Sequence, residues 1–136
     1  MSWDISICKF SRFYASVEEI SDDEHCYPLG SRSEVQLAIS SIFVGVDWSD
    51  PAWGRYEAPF GSIEFNMGGP EPIEGLMLHV RASEAVVAPI VQLCIQHAWQ
   101  ALDVSNGSFL EQAAVPEGGL REWQSYRNHA LGQSDA

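Results

Sequence analysis

The sequence predicts an α+β fold: an antiparallel sheet of four to five strands, two main helices packed on one face, and a short C-terminal helix. Apolar and polar residues alternate in several short runs, which is typical of half-buried strands. Two longer runs repeat their apolar residues at helical spacing. The chain has 136 residues, of which 46% are hydrophobic, so it can bury one core. Residues 1–131 are therefore predicted to form a single domain, with a frayed tail at 132–136.

The first predicted elements are a strand and a helix. Residues 3–8 alternate between apolar and polar side chains, which predicts a strand. Residues 31–34, Ser-Arg-Ser-Glu, match a capping box, in which the serine and glutamate side chains bond amides at a helix start. Apolar residues at 35–43 follow at helical spacing, and Gly45 is expected near the helix end. Residues 46–54 are interpreted as an ordered loop, because Asp, Ser and Pro favour turns.

Downstream, the pattern predicts further strands and the second helix. The expected elements are strands at 55–58, 62–67 and 76–81, a helix from Ser83 or Glu84 to about Gln100, and a strand at 101–104. Gly, Pro and Glu residues at 68–75 favour a turn, so the strands on either side are expected to pair as a hairpin. The Asn106-Gly107 pair favours a second turn, and Leu120 and Trp123 favour the short C-terminal helix.

One register of this hairpin puts all of its apolar residues on one face. It places Ile63 opposite Val80, Glu64 opposite His79, Phe65 opposite Leu78, Asn66 opposite Met77, and Ser62 opposite Arg81. The other face then gathers Glu64, Asn66, His79 and Arg81. Three interpretations stay open for this set: a partner-binding surface, an acid–base pair in which Glu64 orients His79, or an ordinary cross-strand ion pair.

The charge balance is strongly acidic. Nineteen Asp and Glu residues face seven Lys and Arg residues, for a net charge of −12. Such a field repels nucleic acid and anionic lipid and favours a cationic partner, although acidity also serves solubility alone. The densest acidic cluster is expected either to be a solvated loop or to anchor a basic partner. Its members are Glu18, Glu19, Asp22, Asp23 and Glu24.

Two tryptophans in the predicted loop are further candidates. Trp48 and Trp53 flank the turn at Pro51. Tryptophan is frequent at interface hot spots, but both side chains could equally fill the end of the core. Asp47 and Asp50 beside them could bind a cation, but such residues more often cap turns.

No catalytic, metal or cofactor motif is present in the sequence. Cys8, Cys26 and Cys94 are widely spaced and match no zinc pattern, and no P-loop, G-x-G-x-x-G or G-x-S-x-G occurs. No metal and no cofactor are therefore expected. The start of the chain lacks the features of a signal peptide, and no apolar run is long enough for a membrane span. We expect a cytoplasmic protein with free thiols.

Several segments carry a resemblance to a group of small bacterial proteins. These segments are Gly-Val-Asp-Trp-Ser-Asp-Pro-Ala-Trp-Gly at 45–54, Ser-Ile-Glu-Phe-Asn at 62–66, Leu-Met-Leu-His-Val-Arg at 76–81, Ala-Leu-Asp at 101–103, and Gly-Ser-Phe-Leu at 107–110. The group is similar in size and style to immunity proteins of polymorphic and contact-dependent toxin systems. The resemblance covers roughly residues 31–111.

The resemblance implies a protein that binds one cognate toxin in the cytosol and blocks its active site. Many such toxins are basic nucleases, and an acidic inhibitor can mimic the phosphate backbone that they grip. It implies no catalytic residue. The predicted contact residues are Glu18, Glu19, Asp22, Asp23, Glu24, Trp48, Asp50, Trp53, Glu64, Asn66, His79 and Arg81. The alternatives are a small enzyme that uses Glu64 and His79, and a subunit that self-associates through the open sheet face.

Overall fold

The computed structural model describes residues 2–112, 118–121 and 124–125. Within them, seven strands form one antiparallel sheet. The strands are β1 (Trp3–Cys8), β2 (Asp47–Asp50), β3 (Trp53–Ala58), β4 (Gly61–Asn66), β5 (Leu76–Ala82), β6 (Gln100–Asp103) and β7 (Ser108–Phe109). Their order across the sheet is β2-β3-β4-β5-β1-β6-β7, so the first strand of the chain lies near the centre.

Two α-helices accompany the sheet in the described part of the chain. Helix α1 (Arg32–Ile42) begins with the predicted capping box, because Ser31 accepts the Glu34 amide and Glu34 accepts the Ser31 amide. Helix α2 (Val87–His97) follows a short 3-10 helix, Glu84–Val86. Other short 3-10 helices lie at Val17–Glu19 and Leu110–Gln112. Residues 118–121 and 124–125 are also helical, whereas Trp123 and the predicted tail at 132–136 lie outside the described residues.

The antiparallel α+β class is confirmed, but the predicted sheet of four to five strands is wrong. The predicted loop at 46–54 is instead a β-hairpin. It contains β2, a two-residue turn and the start of β3. Asp50 Oδ1 accepts the Ala52 amide at 3.0 Å. Asp50 therefore does form a turn, as its residue type predicts, but this turn connects two paired strands. Strand β7 adds a short edge beside β6.

The second helix is shorter than predicted. It ends at His97, because Ala98 adopts a left-handed conformation with φ of 58°. The Trp99 amide then bonds the Cys94 carbonyl, which closes the last turn. Gln100 therefore begins β6 and does not belong to the helix.

The hairpin register is confirmed residue for residue. Ile63 pairs with Val80, Glu64 with His79, Phe65 with Leu78, Asn66 with Met77, and Ser62 with Arg81. The apolar side of this hairpin continues into β1, whose side chains alternate between buried and half-buried. We call this apolar side of the sheet the inner face and the opposite side the outer face. One core cluster combines inner-face residues such as Phe65 with Val35 and Ile39 of α1 and Ile90 and Leu93 of α2.

The segment after β1 covers part of the outer face. We call residues 9–27 the acidic arm. Its Tyr14 is buried, and both backbone groups of Tyr14 bond the Gln100 side chain at 2.9 Å. Phe10 contacts Phe109 edge to face, at 6.2 Å between ring centroids. Because Gln100 and Phe109 belong to β6 and β7, the arm lies over that half of the outer face.

The strands on the other half carry the polar residues singled out above. Outward side chains of β3, β4 and β5 are exposed or half-buried. Among the described residues, no helix is long and apolar enough to cross a membrane.

Candidate functional site

The outer face of four adjacent strands brings together one aromatic and several charged side chains. We call this set the Trp53 surface. It consists of Asp4 on β1, Trp53 on β3, Glu64 on β4, and His79 and Arg81 on β5. Because residues paired across antiparallel strands point to the same side, the pairs Asp4–His79, Glu64–His79 and Trp53–Asn66 place this set on one face. The site is therefore a product of strand order.

His79 is fixed between two neighbours. Its Nδ1 atom lies 2.9 Å from Asp4 Oδ1, and its ring stacks on Trp53 with 5.6 Å between centroids and an interplanar angle of 18°. A carboxylate at Nδ1 sets the orientation of an imidazole ring. The Trp53 indole therefore stacks on an imidazole whose orientation is fixed by Asp4, and this stacking restricts the indole.

The predicted Glu64–His79 pair is replaced by two different pairs. Glu64 Oε2 lies 3.4 Å from Arg81 Nη1, and His79 bonds Asp4. The register does place Glu64 directly opposite His79. A guanidinium is nevertheless the stronger partner for Glu64 because it is always charged. Asp4 is 75 positions away from His79 in sequence, and only the pairing of β1 with β5 brings it there.

A pocket of about 330 Å³ opens beside Trp53 at the edge of the sheet. Its lining residues are Asp47, Ser49, Asp50, Trp53 and Arg55. The Ser49 hydroxyl and amide both donate to Asp47 Oδ1, and with the nearby Arg55 they lower the pKa of the Asp47 carboxyl. Asp47 and Asp50 cap turns as the sequence suggests, and they also supply carboxylates to a concave site next to an indole.

The two tryptophans of the β2–β3 hairpin lie on opposite faces. Trp48 turns to the inner face, where its Nε1 donates to Ser40 Oγ of α1 at 3.0 Å and its ring contacts Phe65. It belongs with the half-buried side chains packed against the core. Its ring packs against α1 and the core, as in the core-filling alternative, and a contact of Trp48 with a partner stays a prediction. Trp53 alone of the pair lies on the outer face.

The acidic cluster divides into structural and exposed members. Glu24 accepts bonds from the Ser11 hydroxyl and the Tyr14 hydroxyl, and these bonds lower the pKa of its carboxyl to about 2. Glu19 accepts the Ala15 amide at 3.2 Å. These two carboxylates hold the acidic arm in shape. Glu18, Asp22 and Asp23 are exposed.

Asn66 has a local role. Its Oδ1 accepts the Gly68 amide at 3.0 Å and so shapes the turn after β4. It also lies directly opposite Trp53 across β3 and β4. Asn66 therefore borders the Trp53 surface while its side chain serves the turn.

Carboxylates dominate this side of the molecule. Asp4, Asp47, Asp50, Glu57 and Glu64 share the outer face or its pocket with Arg55 and Arg81. A supported indole among carboxylates is suited to contact a cationic or mixed polar surface through apolar area, cation–π attraction and charge. Within the described residues, no group of three or more His, Cys, Asp or Glu side chains is arranged to hold a metal ion.

Sequence reasoning missed three contributors to this region. The alternation at residues 3–8 predicts only that Asp4 points outward, and nothing local pairs it with His79. The stacking of Trp53 on His79 requires the β2–β3 hairpin, whereas the sequence predicts a loop at 46–54. Asp47 and Arg55 line one pocket, and nothing in the sequence places them together.

Comparison with known proteins gives no match. No protein-family model matches the chain, and neither the search of curated proteins nor the search of solved structures finds a similar one. The resemblance to immunity proteins therefore stays a prediction.

Proposed function

We propose that this chain is an acidic binding protein that neutralises a basic partner protein through its outer sheet face. The observation that carries the proposal is Trp53, which is stacked on His79, shares a pocket with Asp50, and lies on the same face of the sheet as Asp4 and Glu64. In line with the resemblance, the proposed partner is a cognate bacterial toxin domain in the cytosol. The proposal also assigns both helices to the opposite face of the sheet, which leaves the outer face for the partner.

Support for an anchor role comes from how Trp53 is held. Tryptophan contributes large contact area, and anchors that are already ordered lose little side-chain entropy on binding. Stacking on His79, which Asp4 orients, orders the indole before a partner arrives. The pocket beside Trp53 offers room for a side chain of the partner, and a lysine or arginine there would meet Asp47 and Asp50.

Support for a cationic partner comes from charge. Surplus carboxylates on the outer face would attract a basic surface and raise the association rate. The exposed acids of the acidic arm, Glu18, Asp22 and Asp23, would add to this attraction. Arg81 would serve specificity, because a partner must either offer its guanidinium a new acceptor or leave its pair with Glu64 in place.

The experiment uses the product of the gene next to the one for this chain, and measures binding by titration calorimetry and surface plasmon resonance. Trp53→Ala should weaken binding at least about 10-fold, which is about 1.4 kcal/mol. Asp50→Asn keeps the acceptor for the Ala52 amide and should mainly slow association, with a weaker dependence on salt. Leu37→Ala, at an exposed apolar residue of α1, is the matched control and should leave the affinity unchanged.

Two results would count against the proposal. One is the lack of any complex together with no protection of cells that express the partner. The other is a complex that Leu37→Ala weakens and Trp53→Ala does not, because binding would then use the helical side. Sizing of the chain alone tests the remaining alternative, since a stable dimer that Trp53→Ala dissociates would assign the outer face to self-association.

A second candidate function, a small enzyme, is favoured by one specific observation. Asp4 orients His79 at Nδ1, which is the relationship of an orienting acid to a general base. The pocket beside Trp53 is lined by neither residue. If His79 acts as a base, His79→Gln and Asp4→Asn should both abolish turnover, whereas a binding role predicts altered affinity in each variant and no turnover in any.

A further inference from the structure

The structure brings together Cys8 and Cys26, which the sequence interpretation treated as separate thiols. Cys8 ends β1, and Cys26 lies near the end of the acidic arm. An isolated antiparallel bridge joins their neighbours Lys9 and Tyr27, and the Tyr27 amide donates to the Lys9 carbonyl at 2.7 Å. Because side chains alternate along extended backbone, the residues one position before each bridge partner project to the same side. The Cys26 thiol lies close enough to the Cys8 thiol to raise its pKa, in agreement with this placement.

Cys8 and Cys26 are accessible to small reagents, whereas Cys94 is not. Cys8 and Cys26 are reduced and half-buried, so small reagents can approach them. Cys94 is also reduced but fully buried in the core, and burial raises the pKa of its thiol. The chain therefore contains two neighbouring, partly accessible thiols and one inaccessible thiol that serves as an internal control.

We infer that Cys8 and Cys26 form an oxidisable dithiol that a low-molecular-weight disulfide, such as oxidised glutathione, converts into a Cys8–Cys26 disulfide. The reaction balances with that oxidant. The two cysteine thiols lose two electrons and two protons as their S–S bond forms, and the S–S bond of the oxidant breaks to give two reduced thiols. The inference does not depend on the proposed partner.

The order of attack follows from the difference between the two positions. Burial, followed by the neighbouring Cys26 thiol, raises the pKa of the Cys8 thiol to about 12. A thiol attacks as its thiolate, so Cys26 is assigned the first attack on the oxidant and forms a mixed disulfide. Cys8 then loses its proton to solvent as its sulfur attacks the Cys26 sulfur, and the second small thiol leaves.

The disulfide would close a loop that contains most of the acidic arm. The arm is already attached to the sheet through Gln100 and held in shape through Glu24, so the cross-link preserves an existing contact rather than creating a new fold. A loop of this length removes enough chain entropy from the opened arm to make opening about 100-fold rarer. Oxidation should therefore fix the exposed acids Glu18, Asp22 and Asp23 in place.

The test treats the full reduced chain with oxidised glutathione, alkylates it, digests it and identifies the cysteine peptides by mass spectrometry. A bridged Cys8–Cys26 peptide is expected, with Cys94 alkylated only after denaturation. Trypsin should cut after Arg12 at least about tenfold more slowly in the oxidised chain, and cleavage after Arg55 serves as the control. Cys94→Ser should leave both results unchanged.

Serine variants check the order of attack. Cys8→Ser should accumulate glutathione on Cys26, whereas Cys26→Ser should acquire none at Cys8 in the folded chain. Recovery of Cys8 and Cys26 as separately alkylated peptides from oxidised wild-type chain would overturn the inference, and this readout needs no variant. A bridge to Cys94, or a bridge between two chains in place of the internal one, would also overturn it.

Discussion

Replacing Gly54 with alanine tests how closely Trp48 is packed against the β2–β3 hairpin. A Cβ atom at this position would lie 2.6 Å from Trp48 Cζ3, 2.7 Å from Trp48 Cη2 and 2.9 Å from Val46 Cγ1. The indole cannot move away without cost, because its Nε1 donates to Ser40 and its ring contacts Phe65. Overpacking of this kind costs about 1–3 kcal/mol. Alanine also lowers the conformational entropy of the unfolded chain, which stabilises the fold by about 0.4–1 kcal/mol and offsets part of this cost.

We therefore expect Gly54→Ala to lower the free energy of unfolding by about 1–2 kcal/mol. With a urea m-value of about 2 kcal/mol/M, the midpoint of unfolding should fall by about 0.5–1 M. The assay is urea unfolding followed by Trp fluorescence and circular dichroism. Gly69→Ala is the matched control, since no atom lies within 4 Å of its added Cβ, and it should leave the midpoint nearly unchanged. An unchanged or raised midpoint in Gly54→Ala would refute this packing of Trp48.

Three further predictions concern the acidic arm and α1. Hydrogen bonds from Ser11 and Tyr14 lower the pKa of the Glu24 carboxyl from its usual 4.5 to about 2. The carboxylate should therefore stabilise the fold fully above about pH 4.5 and lose that contribution as the pH falls through about 2. A carboxyl ¹³C titration with a midpoint above 4 would contradict this prediction. Gln100→Ala leaves both backbone groups of Tyr14 without their side-chain partner, so unfolding should become easier by about 1–3 kcal/mol and proteolysis within the arm faster. Ser31→Ala removes the capping box of α1 and should cost about 1 kcal/mol in thermal or urea unfolding, and no loss would show that the cap contributes little.

Local patterns in the sequence were sufficient wherever neighbours along the chain decide the outcome. The capping box at Ser31 needs only residues three apart, so the start of α1 could be predicted to the residue. The β4–β5 register followed from alternation, since a slip by one would bury Glu64 and Asn66. The end of α2 was misjudged because apolar residues continue past His97 into β6, and periodicity alone does not separate a buried helix end from a buried strand.

The candidate site depends in part on contacts between residues that are distant in sequence. Alternation along the strands was enough to place Glu64, His79 and Arg81 on one polar face, and composition was enough to show that the chain is acidic. The pairing of β1 with β5, through which Asp4 rather than Glu64 bonds His79, became evident only from the fold. The fold also places Trp48 on the inner face of the sheet and Trp53 on the outer face. Contacts between residues far apart in the chain depend on strand order. Strand order depends on burying the apolar faces of all strands and helices together, so it cannot be predicted from a local sequence pattern.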